Sequence, residues 1–202
     1  DVQEAAFRNY NDWIADYCKV APKRLFAIPC ISAYNIDQGI KEMQRCADMG
    51  LLGSLIWQVP DPKLPLISEH YEKFWAAAAE LGQPVHLHIL TSFNYNTGPE
   101  RRGMEKIRGS VNIKTADSFT CLYDMIWSGV FNRHPKLKVA IVEAEIGWIP
   151  FMLQQWDYYY KRNLKPGHPN EDFLIKRLPS EIFNDHVYAT FMRSEDRRVG
   201  TE

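Results

Sequence analysis

The chain has 202 residues, with 24 Lys or Arg against 25 Asp or Glu, a balance that argues against nucleic acid as a partner. An apolar content of 46% suffices for one cored domain, so residues 1–202 read as a single domain. No apolar run reaches the roughly 18 residues of a membrane-spanning helix, no leader-like segment opens the chain, and the four scattered cysteines read as thiols of a reducing cytoplasm.

Residues 3–21 place Phe7, Tyr10, Ile14, Tyr17, Cys18 and Ala21 at helical spacing, closed by Pro22. An apolar strand follows at 25–31. Asn35 with Gln38 three residues on has the form of a capping box, and Gly50 stops the helix it opens. A second strand occupies 53–57. After a Pro-rich loop, Ser68 caps a helix that ends at Gly82.

The next segment, Gly82-Gln83-Pro84-Val85-His86-Leu87-His88-Ile89, is an apolar run bounded by a Gly-x-Pro turn signal. Strand side chains alternate with period two, so His86 and His88 share one face and Val85, Leu87 and Ile89 the other. A polar connection from Thr91 to about Lys114 is long enough to suggest a functional loop. A helix at 116–131, a strand at 137–143, a helix at 147–162, a short helix and a last strand at 186–191 complete the chain.

Five strands joined by helical crossovers imply parallel βαβ units, hence a doubly wound sheet or a (β/α)8 barrel. In a barrel, polar functional residues gather at the C-terminal ends of strands, where Trp57, His88, Glu143, Glu145 and Met192 fall. A full barrel needs eight strands and about 250 residues. The α/β fold expected is therefore an incomplete (β/α)8 TIM barrel, and the chain reads as a fragment of a longer one.

Five segments in order carry a family resemblance. They are Phe7-Arg8-Asn9-Tyr10-Asn11-Asp12-Trp13, Pro22-Lys23-Arg24-Leu25, Pro84-Val85-His86-Leu87-His88-Ile89, Arg133-His134-Pro135-Lys136-Leu137-Lys138-Val139 and Glu143-Ala144-Glu145-Ile146-Gly147-Trp148-Ile149-Pro150-Phe151. Together the set resembles the amidohydrolase-related family, which also holds decarboxylases of the aminocarboxymuconate-semialdehyde type. The resemblance implies a distorted barrel with a catalytic divalent metal, zinc foremost, at the strand C-termini. It makes the five strands barrel strands three to seven. It sets the fifth-strand metal ligand on His88 and the sixth-strand position on Glu143, in the branch whose motif runs Glu-x-x-x-Gly-Trp-x-Pro.

No first-strand His-x-His lies upstream and no Ser-Asp-Tyr-Pro-His-like segment follows Phe191, so the family's usual partners of His88 are not expected within these residues. His86 and Glu145 stand where the family has small residues.

Glu143 is the catalytic candidate, as a metal-proximal carboxylate or general base, against the alternative of a structural ion pair. Trp57 and His86 are candidates for lining a substrate site, though both positions also suit plain packing. Glu145 fits an outward or helix-N-terminal charge, and Arg101 with Arg102 fits a solvated pair better than a carboxylate clamp. His70, His134, His168 and His186 have no evident partners, and Trp148, Met152, Trp156 and Tyr159 have core spacing.

The function implied is metal-dependent hydrolysis of a small organic substrate by an activated water, with nonoxidative decarboxylation of an aromatic or unsaturated acid as alternative. A catalytically inactive partial barrel is the third reading. No membrane or nucleic-acid partner is expected. Exposed barrel edges leave pairing between copies of the chain open.

Overall fold

The sheet runs in chain order. In the computed structural model, which describes residues 2–93, 105–164 and 174–192, four parallel strands follow one another as β1 (Ser54–Val59), β2 (Val85–Ser92), β3 (Val139–Val142) and β4 (Val187–Ala189). A doubly wound sheet reverses its strand order at a switch point, whereas a barrel adds each strand beside the last. Sequential order therefore selects the partial barrel.

The first strand expected from the sequence is reduced to one bridge between Cys30 and Leu55. Segment 25–31 is nevertheless extended alongside β1, with Leu55 N–H donating to Pro29 O at 2.8 Å and Ile31 N–H to Leu55 O at 2.9 Å. Pro29 has no N–H to give, which limits the ladder. The other side of Cys30 is taken by the Asn11 side chain, which accepts its N–H at 2.8 Å and donates to its carbonyl at 3.0 Å. Asn11 thus pairs with the strand backbone as a neighbouring strand would.

That pairing corrects the reading of the first helix, α1 (Val2–Cys18). Its buried positions are Asn11 and Ala15, while Tyr10 and Tyr17 face outward. A buried Asn is tolerable there because every polar atom of its amide finds a partner, the third being Glu42 Oε1 at 3.0 Å. Glu42 lies on α2 (Ile36–Asp48), which opens as expected with Asn35 Oδ1 accepting Gln38 N–H at 3.2 Å.

A short turn at Glu69–Tyr71 leads into α3 (Glu72–Leu81), so Ser68 stands at the right place but makes no capping bond with its side chain. Gly82, at φ 63°, closes α3. The next helix, α4 (Glu105–Trp127), starts earlier than the polarity of its first turns suggests, so much of the expected loop is helical. Residues 94–104 lie outside the described part, Arg101 and Arg102 with them, as does His168.

Short α5 (Val130–Arg133) precedes β3, and α6 (Ile149–Asn163) and α7 (Pro179–His186) bring the chain to β4. On α6 the inward aromatics are Trp156 and Tyr160, with Tyr159 half exposed, one position off the sequence reading. Asp157 of α6 accepts both the N–H and the hydroxyl of Ser180, at 3.0 and 2.6 Å, which fixes the start of α7.

Val85, Leu87 and Ile89 of β2 are buried in the core with Phe74, Trp75, Leu122, Met125 and Ile126 of the covering helices. His86 and His88 point to the opposite, concave face, where Tyr188 of β4 is exposed.

Three histidines without evident partners in sequence turn out to have them. His70 Nε2 meets Ala33 O at 2.9 Å, and His186 Nδ1 meets Leu137 O at 2.8 Å. His134 Nε2 lies 2.8 Å from Glu72 Oε2, and Arg133 reaches the same carboxylate at 2.6 Å. Hydrogen bonds from Arg133, and then from His134, hold the Glu72 carboxyl below its usual range.

A depressed folded-state pKa means the stabilisation is fully present above the ordinary carboxylate value, about 4.3, and is lost as pH falls through the depressed value. Glu72→Gln should lower the thermal midpoint at pH 7 by about 2–4 °C, for a loss near 1 kcal/mol. Its midpoint should also fall less steeply than wild type below pH 4.3. Parallel acid profiles by circular dichroism would contradict this.

Candidate functional site

Strand register decides which side chains meet. Trp57, His88 and Val142 occupy one level across β1, β2 and β3. Glu143 is the next residue after β3, so its carboxylate reaches the imidazole of the neighbouring strand. His88 Nε2 and Glu143 Oε2 lie 3.2 Å apart, with side chains 24% and 46% exposed. The pair is open to solvent on one side and walled on the other.

The second ring nitrogen fixes the proton. Leu90 N–H donates to His88 Nδ1 at 3.2 Å, so the neutral ring carries its proton on Nε2, the nitrogen that lies 3.2 Å from Glu143 Oε2. A histidine and a carboxylate in this relation can hold, deliver or take one proton at a defined position.

The turn that carries Glu143 is strained. Glu143 and Glu145 have φ of 61° and 57°, a region that ordinary L residues rarely adopt. Three bonds hold the turn. Thr190 Oγ1 accepts Glu143 N–H at 2.7 Å, the Trp148 indole N–H donates to Ala144 O at 2.7 Å, and Met192 N–H donates to Glu145 Oε2 at 3.3 Å. Glu145 is thereby turned to the end of β4 rather than outward.

Trp57 stands level with His88 on the neighbouring strand. It is 9% exposed, its indole N–H donates to the buried Tyr71 hydroxyl at 2.9 Å, and its ring lies 4.3 Å from that of Tyr34. Its polar atom is committed and its ring is packed against Tyr34.

His86 is placed one inward step deeper, level with Leu55 and Ala140. Its ring covers Gly53, where a β-carbon would come within 2.5 Å of its Cε1. Burial pushes its pKa down, opposed only in part by the Pro84 backbone, and its Nδ1 has no well-formed hydrogen bond. The structure thus brings His88 and Glu143 together, sets Trp57 level with His88 on the neighbouring strand, and places His86 one step deeper.

Two threonines escaped the sequence reading. Thr91 Oγ1 accepts Gln58 N–H at 2.9 Å and lies 2.7 Å from His88 O, fastening the ends of β1 and β2 where their register shifts. Thr190 does the same between β3 and β4. A hydroxyl at a strand C-terminus was the available signal.

A tetrahedral metal ion would hold two N or O ligands about 3.3–3.4 Å apart, close to the separation of His88 and Glu143. The fit stops there. Among the described residues no group of three or more His, Cys, Asp or Glu converges, and a catalytic site takes three protein ligands. The His88 ring also turns its Nδ1 toward a donor, whereas a ligating histidine gives that N–H to an acceptor. The described donors do not make a metal centre by themselves.

No helix among the described residues is long and apolar enough to cross a membrane. The four cysteines are all free thiols, and burial pushes Cys46 and Cys121 up to about 12, where neither is reactive.

Comparison with known proteins agrees with this architecture. A curated relative, 2-amino-3-carboxymuconate-6-semialdehyde decarboxylase of Dictyostelium discoideum, is 25% identical over 195 residues, covering 90% of this chain and 50% of that protein. The chain thus spans about half the length of that relative. A 2,6-dihydroxybenzoate decarboxylase solved with 2,6-dihydroxybenzoate superposes with a TM-score of 0.72 at 20% identity, over 97% of this chain and 61% of that one. A dihydroxybenzoic acid decarboxylase from Polaromonas sp. JS666, solved with manganese and 2-nitroresorcinol, gives 0.70 at 18% identity, over 97% and 60%. These structural likenesses show the shared fold. The amidohydrolase family profile itself matches residues 1–171, and the chain belongs to that family.

Proposed function

We propose that the protein of which this chain is part removes carbon dioxide, without oxidation, from a small aromatic or unsaturated carboxylic acid. The observation that carries the reading is the His88–Glu143 pair at the C-terminal ends of adjacent barrel strands, with Trp57 level with His88 on the neighbouring strand. Cleaving a carbon–carboxylate bond leaves an electron pair on carbon that must take up a proton. A proton carried on an imidazole nitrogen beside a carboxylate suits that task. The decarboxylase names of the similar proteins support the same choice.

Hydrolysis is the second reading, because the same pair can take a proton from water and the family profile is named for amidohydrolases. In either case a divalent cation would need donors beyond the described residues. Manganese, seen in a neighbour, and zinc are the two candidates. His86, below the pair, would shape the floor of the substrate site.

Two measurements check this. With the whole protein and a panel of hydroxybenzoates, carbon dioxide release is expected, and His88→Ala or Glu143→Gln should slow it by about 10²–10⁴-fold without loss of fold. Hydrolysis of amides or lactones with no carbon dioxide from any acid would establish the second reading instead. The 202-residue chain alone, dialysed after loading with zinc or manganese, should retain well under one equivalent by elemental analysis. Tight stoichiometric binding would contradict the two-donor account.

A further inference from the structure

The strained turn after β3 raises a question that the pair itself does not answer: what keeps Glu143 in a left-handed conformation? A glutamate there costs of order 1–3 kcal/mol and persists only where its surroundings over-determine it. Among the described residues, the hydrogen bond that engages the Glu143 backbone is with Thr190. Thr190 Oγ1 accepts the Glu143 N–H at 2.7 Å.

Thr190 is well anchored for this. Its own N–H donates to Ile141 O at 3.0 Å, so the hydroxyl is carried on the last rung between β3 and β4. From there it takes the backbone N–H that the turn lifts out of the ladder. The chain would otherwise continue as a strand and send residue 143 to the helix-covered face, the alternate of Val142, rather than to His88.

We propose that Thr190 is a positioning residue, which through the Glu143 N–H holds the carboxylate against His88. The proposal rests on the reading of His88 and Glu143 as the working pair. Thr190 is exposed, so replacing it leaves no cavity in the core.

The test compares Thr190→Val and Thr190→Ser with Glu143→Gln by NMR, following amide exchange at Glu143 and the His88 imidazole nitrogens in long-range 1H–15N spectra. In Thr190→Val the Glu143 amide should exchange about tenfold faster, and the His88 signals should move away from wild type. Thr190→Ser, which restores the hydroxyl, should return both to wild type. A protected Glu143 amide in Thr190→Val, unmoved His88 signals in that variant, or a Thr190→Ser variant that behaves like Val would each overturn the proposal. Glu143→Gln separates the two levels. If it moves His88 and Thr190→Val does not, the pair stands and the positioning role falls. If Glu143→Gln leaves His88 unmoved, the pair itself falls.

Discussion

Everything at this site depends on the register of β2 between β1 and β3. With Val85, Leu87 and Ile89 buried among the helices, a slip of one residue would turn the whole apolar set outward, so the strand has one admissible placement. That placement fixes His88 level with Trp57 and Val142. The polar residues need no separate device to find their level, because the core does it for them.

What the core does not fix is the direction of Glu143. A strand that simply ended would leave that carboxylate on the wrong face or in water. The turn at 143–145 solves this by adopting backbone angles that glutamate resists, and it is held there by Thr190, Trp148 and the end of β4. Stability is lost locally so that one side chain is aimed. The same division of labour appears at β1, where Thr91 fastens the register shift just past Trp57. Rigid strands thus set the level, and hydroxyls at their ends set the angles.

How much of this was legible in the sequence follows from the kind of signal each residue sends. His88 and Glu143 close apolar runs, and strand ends are where barrels expose chemistry, so both were visible by position. The alternation of strands and helices narrowed the fold to a doubly wound sheet or a barrel, and the polar residues at strand ends pointed to the partial barrel. Asn11 was not, because a polar residue on a helical apolar face reads as surface until the Cys30 backbone it satisfies is known. Tyr159 and Tyr160 differ by one position, a 100° step on the helix, and only packing tells which is inside. The left-handed turn sent no signal, since glutamate is not a residue that favours such angles. The pairing of His134 with Glu72 joins residues 62 apart, beyond any local pattern.

The account rests on His88 and Glu143 being the place where a carboxylic acid is handled. The most direct measurement is a crystal structure of the whole protein soaked with a dihydroxybenzoate. The account predicts the acid bound at the His88–Glu143 pair, with its reacting carbon within reach of the His88 ring proton. A ligand bound elsewhere, with His88 and Glu143 contacting only water, would contradict it.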